Sequence, residues 1–213
     1  MPALDTKAEP TQSRSQDTYE HILETAGRLL EHVGFEELST NLICQKAGMT
    51  PPALYRYFPN KYAVLKILGE RLMAAQDALV DQWLIAGTTE PAGADGPVNR
   101  IASLLRSLIT VTKEFPGGIA ISRAIHAVPL LRQLHIESRE AVVTQICGIL
   151  QPQIPTVPPA RLRMASRMVS QLTSGVVEMV IEEPGPDTDS LIYEAAFLFA
   201  SYFRAMQEST VTS

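Results

Sequence analysis

The sequence predicts an all-α protein with an N-terminal helix-turn-helix domain of three helices, followed by a larger helical domain. Three observations over the 213 residues support this fold class. Apolar residues recur at helical spacing along most of the chain, no alternating run is bounded by hairpin turns, and glycine and proline divide the pattern into segments. We expect a disordered arm over residues 1–14, a helix-turn-helix domain over 15–61 and the larger domain over 62–208.

The first two helices have clear end signals. The first is predicted from Ser15 to Val33, with one apolar stripe, and Gly34 ends it in the way that a left-handed residue does. Ser39 is a good N-cap for the second helix, which Gly48 ends after about two turns. Two short helices around such a glycine are typical of a helix-turn-helix.

The third helix is short and the fourth is long. Thr50 suits an N-cap and Pro51 the first helical position, where its missing N–H is not needed; the helix extends to Tyr57. Asn60 caps a fourth helix that runs from Lys61 to about residue 84. Further helices are predicted over residues 97–114, 118–127, 129–150, 158–183 and 188–207, and residues 87–97 have the composition of a loop.

Composition and charge restrict the function classes. Hydrophobic residues make up 46% of the chain and charged residues 19%, which allows a core and argues against disorder for most of the chain. The net charge of −5 argues against a nonspecific polycation. Residues 38–71 nevertheless hold a local charge of +4, from Lys46, Arg56, Lys61, Lys66 and Arg71 against Glu70. Such a face can bind phosphates, although an ordinary solvated helix surface has the same composition.

Neither a membrane location nor a metal site is expected. No run reaches about 18 uncharged apolar residues, and the N-terminus lacks the apolar core of a signal peptide, so we expect a cytoplasmic protein. The two cysteines, Cys44 and Cys147, and the four histidines do not cluster as zinc ligands do. We therefore expect no metal and no cofactor.

A specific run follows the turn glycine Gly48: Leu-Tyr-Arg-Tyr-Phe over residues 54–58, then Asn60-Lys61. With this run, residues 22–65 resemble the DNA-binding domain of the TetR family of bacterial transcriptional regulators. The resemblance implies a homodimer that binds a palindromic operator in double-stranded DNA, usually to repress transcription. It also implies that the C-terminal domain binds a small molecule, hydrophobic or amphipathic here, that weakens DNA binding.

The resemblance gives several residues a role at DNA. Tyr55 and Tyr57 match the aromatic positions of the recognition helix, and Lys61 matches a lysine that the family uses on phosphate. Asn41 stands where some members use arginine on a guanine, and asparagine would suit adenine or a phosphate. Thr50 could contact a phosphate. Three further candidates form an apolar surface that suits contact with thymine methyl groups: Pro51, Pro52 and Ala53. Core packing of the tyrosines and ordinary solvent exposure of the polar residues are the alternatives.

The larger domain offers candidates for an effector pocket and a dimer interface. The pocket candidates are mainly apolar, with one histidine and one arginine to orient a ligand: Trp83, Leu104, Leu108, Phe115, Arg123, His126, Met168 and Leu172. The last two long helices supply the dimer candidates, because serines at four-residue spacing allow close helix approach: Ser166, Ser170 and Ser174, with Tyr193, Phe197 and Ala200.

Two other functions remain open. The C-terminal domain could bind a protein partner in place of a small molecule. A helical enzyme could use His126 or His135 with a nearby carboxylate. Neither a nucleophile elbow nor a P-loop is present in the sequence, which favours a regulator over an enzyme.

Overall fold

The computed structural model describes residues 13–89 and 96–208, except the side chains of residues 13, 14, 88, 89, 125, 126 and 130. These residues form helices and turns without a strand, which confirms the all-α fold class. The helices are α1 (Ser13–Glu37), α2 (Thr40–Ala47), α3 (Pro51–Tyr55), α4 (Lys61–Thr89), α5 (Gly96–Glu114), α6 (Gly118–Ala127), α7 (Arg132–Leu150), α8 (Pro159–Glu182) and α9 (Thr188–Glu208), with a 3-10 turn at Pro129–Leu131. Residues 1–12 of the expected arm and 90–95 of the expected loop lie outside the described part.

Local capping signals account for the helix boundaries in the first part of the chain. The Asn60 side chain accepts a hydrogen bond from the Ala63 N–H at 3.0 Å, so it caps α4 as expected. Gly34 interrupts α1 with φ 70° and ψ −179°, a positive φ but not the left-handed helical conformation that the sequence predicts. Helix α3 ends two residues earlier than predicted, and α4 extends five residues further.

The chain divides into two compact units. The first contains Met1–Ala74 and Thr112–His135, and the second contains Ala75–Val111 and Ile136–Ser213. The first unit therefore includes α6, which lies far outside the predicted 15–61 domain.

The core of the first unit shows why α6 belongs to it. Fully buried side chains of α1, α3 and α4 form one apolar cluster, and Ile121 of α6 is buried in the same cluster. The α1–α6 contact is also close at the backbone, because a Cβ atom on Gly27 would lie 2.6 Å from the carbonyl oxygen of Pro116. The Glu31 carboxylate accepts the Gly117 N–H at 2.7 Å at the start of α6. A small domain buries little surface alone, and α6 enlarges the core that α1, α3 and α4 form.

The second unit has two apolar clusters. One joins α5, α8 and α9 through buried residues such as Leu105, Val180 and Phe199. The other joins the segment after α7 to α8 and α9, with Leu162 and Met206 buried. None of the helices within the described residues has the length and hydrophobicity that a membrane crossing requires.

Candidate nucleic-acid interface

The turn between α2 and α3 has the expected geometry. The Ser39 side chain accepts the Leu42 N–H at 3.2 Å, which caps α2. Gly48 adopts φ 64° and ψ 31°, a left-handed conformation that glycine takes without steric cost. The Met49 N–H donates to the Cys44 carbonyl at 3.0 Å and closes the turn. Both predictions, the N-cap and the turn glycine, are confirmed.

Helix α3 starts as predicted, but its N-cap side chain is not used. Thr50 has the extended backbone of an N-cap, and its carbonyl accepts the Ala53 N–H at 3.0 Å. Its side chain makes no capping hydrogen bond, so the expected capping role of the hydroxyl is wrong. The exposed Thr50 hydroxyl, with Pro51 and Pro52 beside it, belongs to the outer surface of the motif.

Most of the predicted DNA-contacting residues are exposed on α2, on α3 or on the turn between them. Asn41 is exposed near the start of α2, and Tyr55 is 39% exposed on α3, whereas Ala53 is partly buried. Lys46 and Arg56 are exposed as well and supply the positive charge of this surface. We call these residues the outer helix-turn-helix face: Asn41, Lys46, Thr50, Pro51, Pro52, Ala53, Tyr55 and Arg56.

Tyr57 lies in the core, which contradicts the expected contact of this residue with DNA. It is 3% exposed, and its hydroxyl is hydrogen-bonded to the Ser15 hydroxyl at 2.8 Å. Its ring packs edge-on against Tyr19 with the centroids 5.8 Å apart. The sequence did contain the signal, because Leu54, Tyr57 and Phe58 follow the i, i+3, i+4 pattern of an inner helical face.

Lys61 makes hydrogen bonds within the protein that the sequence did not predict. Its ammonium group donates to the carbonyl oxygens of Phe35 at 3.0 Å and Glu36 at 3.2 Å, and it lies 4.4 Å from the centroid of the Phe35 ring. A cation is favourable at this place, because unpaired carbonyls at a helix C-terminus carry partial negative charge. The partners lie 25 and 26 residues away, so no local pattern indicates them. The phosphate contact expected for Lys61 stays a prediction.

Two more basic side chains of the +4 segment are engaged in ion pairs. Arg71 forms a bidentate pair with Glu20, one of whose N···O distances is 2.8 Å. The hydrogen bonds from Arg71 lower the pKa of the Glu20 carboxyl below its usual value. The Lys66 ammonium nitrogen lies 3.7 Å from a carboxylate oxygen of Glu70 on the same helix. The charge count therefore overstates the cationic surface, and the exposed positive charges at the motif are Lys46 and Arg56.

The predicted pocket residues divide between the two units. Phe115 packs against the core of the first unit, and Arg123 of the same unit is exposed. The side chain of His126 lies outside the described part.

The other five pocket candidates belong to the second unit. Leu108 is buried in its core, Leu104 packs against that core, and the indole N–H of Trp83 donates to the Arg100 carbonyl at 3.0 Å. Met168 and Leu172 are 44% and 43% exposed, which contradicts their placement around an enclosed pocket. Inward positions of α8 are occupied instead by residues such as Val177 and Val180, which pack in a core cluster of this unit.

The dimer candidates also separate into two groups. Ser166 is fully buried within the chain, and its hydroxyl accepts a weak hydrogen bond from the Cys147 thiol at 3.7 Å, which contradicts its placement at an interface. Ser170, Ser174 and Ala200 are partly buried. Tyr193 and Phe197 are exposed. We call the large apolar side chains that are exposed on these two helices the apolar surface of α8 and α9: Met164, Met168, Leu172, Met179, Tyr193, Phe197, Leu198 and Tyr202.

Comparison with known families decides the class of this fold and motif. Residues 22–67 match the family model described as bacterial regulatory proteins of the tetR family. Residues 98–203 match the model of the tetracyclin repressor-like C-terminal domain. The chain belongs to the TetR family. It is therefore a DNA-binding transcriptional regulator with a helix-turn-helix, and its family is one of regulators, not of enzymes.

The chain is also similar to individual proteins in sequence or in fold. The chain is 25% identical to the transcriptional regulator UidR of Escherichia coli K12 over an alignment 226 positions long, which covers all of this chain and 99% of UidR. It is 41% identical over 54 residues to the class C tetracycline repressor of Escherichia coli, which covers 25% of each chain. The solved structure of Salmonella enterica GusR has the same fold, with a TM-score of 0.65, 18% identity and coverage of 93% of this chain and 100% of GusR.

Proposed function

We propose that this TetR-family regulator is a homodimeric repressor that binds a palindromic operator and leaves it when a small hydrophobic or amphipathic effector binds. The observation that carries the proposal is the outer helix-turn-helix face, where polar, apolar and basic side chains are exposed around a capped turn. A major groove admits one helix, and α3, with five residues, has little more than one turn to present to base edges.

The residues of this face divide into base and phosphate contacts. Pro51 and Pro52 at the N-terminus of α3 suit contact with thymine methyl groups, and Asn41 suits an adenine edge or a phosphate. Tyr55 suits a phosphate, as do the charges of Lys46 and Arg56. Phosphate contacts fix the register on the duplex, and base contacts supply the sequence preference.

The apolar surface of α8 and α9 supports the homodimer. Met164, Met168 and Leu172 recur at four-residue spacing along α8, and Phe197 on α9 is 49% exposed. Large contiguous apolar patches are uncommon on monomers and mark interaction sites. A second copy of the chain would cover the same patch on both subunits, and two recognition helices about 34–36 Å apart could read successive major grooves.

An effector can release the operator only through different affinities for two conformations of the dimer. It must favour a conformation whose recognition helices do not fit the groove spacing. Helix α4 contributes residues to both compact units, so a tilt of α4 is the simplest way to couple an effector to α3.

Selection from a random pool of double-stranded DNA tests the proposal. We expect the wild-type protein to enrich a palindromic sequence and Tyr55→Ala to bind it more weakly. Phe197→Arg should lower the dimer fraction in light scattering and weaken operator binding, because a buried charge opposes association. Ile85→Arg is the matched control, since Ile85 is 61% exposed and belongs to α4, not to α8 or α9. Absence of any enriched sequence would overturn the proposal.

A further inference from the structure

Most of α8 carries positive charge without negative charge beside it in the sequence. Residues 159–177 contain three arginines, Arg161, Arg163 and Arg167, and the first acidic residue of the helix is Glu178. Arg163 and Arg167 are four residues apart and share one face of α8, whereas Arg161 lies on another face. Helix α7 contacts the face of Arg163 and Arg167 within the second unit.

One carboxylate on α7 neutralises part of this charge. The Glu140 carboxylate accepts a hydrogen bond from Arg163 at 2.6 Å and lies 2.9 Å from the Nε of Arg167. The neighbouring Arg139 donates to the side-chain oxygen of Gln171 at 2.6 Å, and this amide carries no charge. We call Arg139, Arg163 and Arg167 the α7–α8 arginine cluster. Its three guanidinium groups share one carboxylate, which leaves an excess of two positive charges.

Arg139 has a buried donor without an acceptor. Its Nε atom is buried and makes no hydrogen bond within the described residues, although the Nη1 atom of the same group does. Buried N–H groups in native proteins nearly always have a partner, and burial of a cation without an anion is costlier still. The Arg139 guanidinium therefore favours an anionic acceptor.

The other two arginines of the cluster keep donors in contact with solvent. The side chains of Arg163 and Arg167 are 49% and 47% exposed. A guanidinium has five N–H donors in a planar fork, and the contact with Glu140 uses one nitrogen of each arginine. Such forks bind carboxylates and phosphates through two parallel hydrogen bonds. A second anion would also reduce the repulsion among guanidinium groups that share one carboxylate.

We propose that the α7–α8 arginine cluster binds a carboxylate or phosphate group of a small molecule. The inference rests on the proposed function in one respect, because it assigns this group to the amphipathic effector as its polar part. A free inorganic anion has the same chemistry, and the experiment distinguishes the two sources. Anion binding is measured without DNA, so it is tested separately from operator recognition.

Loss of one guanidinium should weaken anion binding without unfolding the protein. Arg139→Gln removes the buried charge and leaves both contacts of Glu140 in place. We expect at least about tenfold weaker binding, as for a lost hydrogen bond to a charged group. Arg167→Gln should weaken binding as well, and it is the second test if Arg139→Gln lowers the melting temperature, because the Arg167 side chain is half-exposed.

Arg161→Gln is the matched control. It removes the same charge from the same helix, but Arg161 is exposed on a different face of α8 from Arg163 and Arg167. A long-range effect of net charge would weaken anion binding equally in Arg161→Gln and Arg167→Gln. A site at the arginine cluster leaves Arg161→Gln equal to the wild type.

The experiment is calorimetric titration of the full chain at constant ionic strength in chloride. The ligands are octanoate, octyl phosphate and inorganic phosphate, with octanol as the uncharged molecule of the same chain length. We expect octanoate and octyl phosphate to bind the wild type and Arg161→Gln equally, and to bind Arg139→Gln and Arg167→Gln more weakly. Absence of binding by all three anions would overturn the proposal, as would octanol binding as tightly as octanoate or equal weakening in Arg161→Gln.

The remaining outcomes separate the source of the anion and the proposed function. Inorganic phosphate that binds as tightly as octyl phosphate would support the anion site and overturn its assignment to the effector. Anion binding by a protein that enriches no DNA sequence would overturn the proposed function and leave the anion site in place. Enrichment of an operator without any anion binding would overturn this inference alone.

Discussion

The close contact between α1 and the turn before α6 predicts that Gly27→Ala destabilises the protein. A Cβ atom at residue 27 would lie 2.6 Å from the Pro116 carbonyl oxygen, whereas real Cβ atoms essentially never come within 3.0 Å of such an atom. The obstacle is backbone on both sides, because a Cβ on Gly117 would in turn lie 2.4 Å from the Gly27 carbonyl oxygen. The turn and α1 must therefore separate by at least about 0.4 Å, the difference between the two distances.

The size of the effect follows from two opposing terms. Overpacking of this kind costs about 1–3 kcal/mol, and the separation also lengthens the bond from the Gly117 N–H to Glu31. Alanine gains about 1 kcal/mol over glycine in a helix. Gly148→Ala isolates the steric term, because a Cβ at Gly148 on α7 meets no atom within 4 Å and the helical gain is the same.

Chemical denaturation measures the difference between the two variants. We expect Gly148→Ala to raise the free energy of unfolding slightly, and Gly27→Ala to lie about 1–3 kcal/mol below it in urea titrations followed by circular dichroism. Operator affinity of Gly27→Ala, measured in parallel, reports whether the α1–α6 contact also supports the DNA-binding face. Equal stability of the two alanine variants would refute the reasoning from the Gly27 contact.

Three further predictions concern charged groups. Lys61→Ala should lower the free energy of unfolding by about 0.5–1.5 kcal/mol, because carbonyl oxygens at the end of α1 lose a donor, and urea titration measures this loss. Glu20→Gln should remove less than about 1 kcal/mol at neutral pH, since the pair with Arg71 is half-exposed. Arg71 lowers the folded-state pKa of Glu20, so this stabilisation is present above the unfolded pKa of about 4.3 and disappears as the pH falls through the folded pKa; an unchanged acid profile in Glu20→Gln would contradict it. Asp77→Asn should instead raise the free energy of unfolding at neutral pH. Burial raises the pKa of Asp77, so ionisation of this carboxyl destabilises the wild-type fold as the pH rises above the unfolded pKa of about 3.9. Asparagine can still accept from Ser138, whose hydroxyl donates to Asp77 at 3.1 Å, so urea titrations should show higher stability at neutral pH, and a loss there would count against the argument.

The sequence by itself determined the features that depend on a few neighbouring residues. Ser39 and Asn60 cap the helices that follow them, and Gly48 supplies the left-handed turn, because these interactions join residues at most five positions apart. Helical periodicity of apolar residues fixed the class and the order of the elements. The run from Gly48 to Lys61 was specific enough to indicate the family, because several residues of one short segment match the family's pattern at fixed spacing.

Only the tertiary structure decided which partners distant residues meet. Lys61 binds carbonyl oxygens at the end of α1, and α6 joins the core of the first unit through Ile121. Met168 and Leu172 lie on an exposed face of α8, where one helical sequence offers apolar residues on more than one side. The periodicity of a helix shows which residues share a face, but packing against other helices selects the face that is buried. Such contacts join residues far apart in the chain, so no local pattern encodes them.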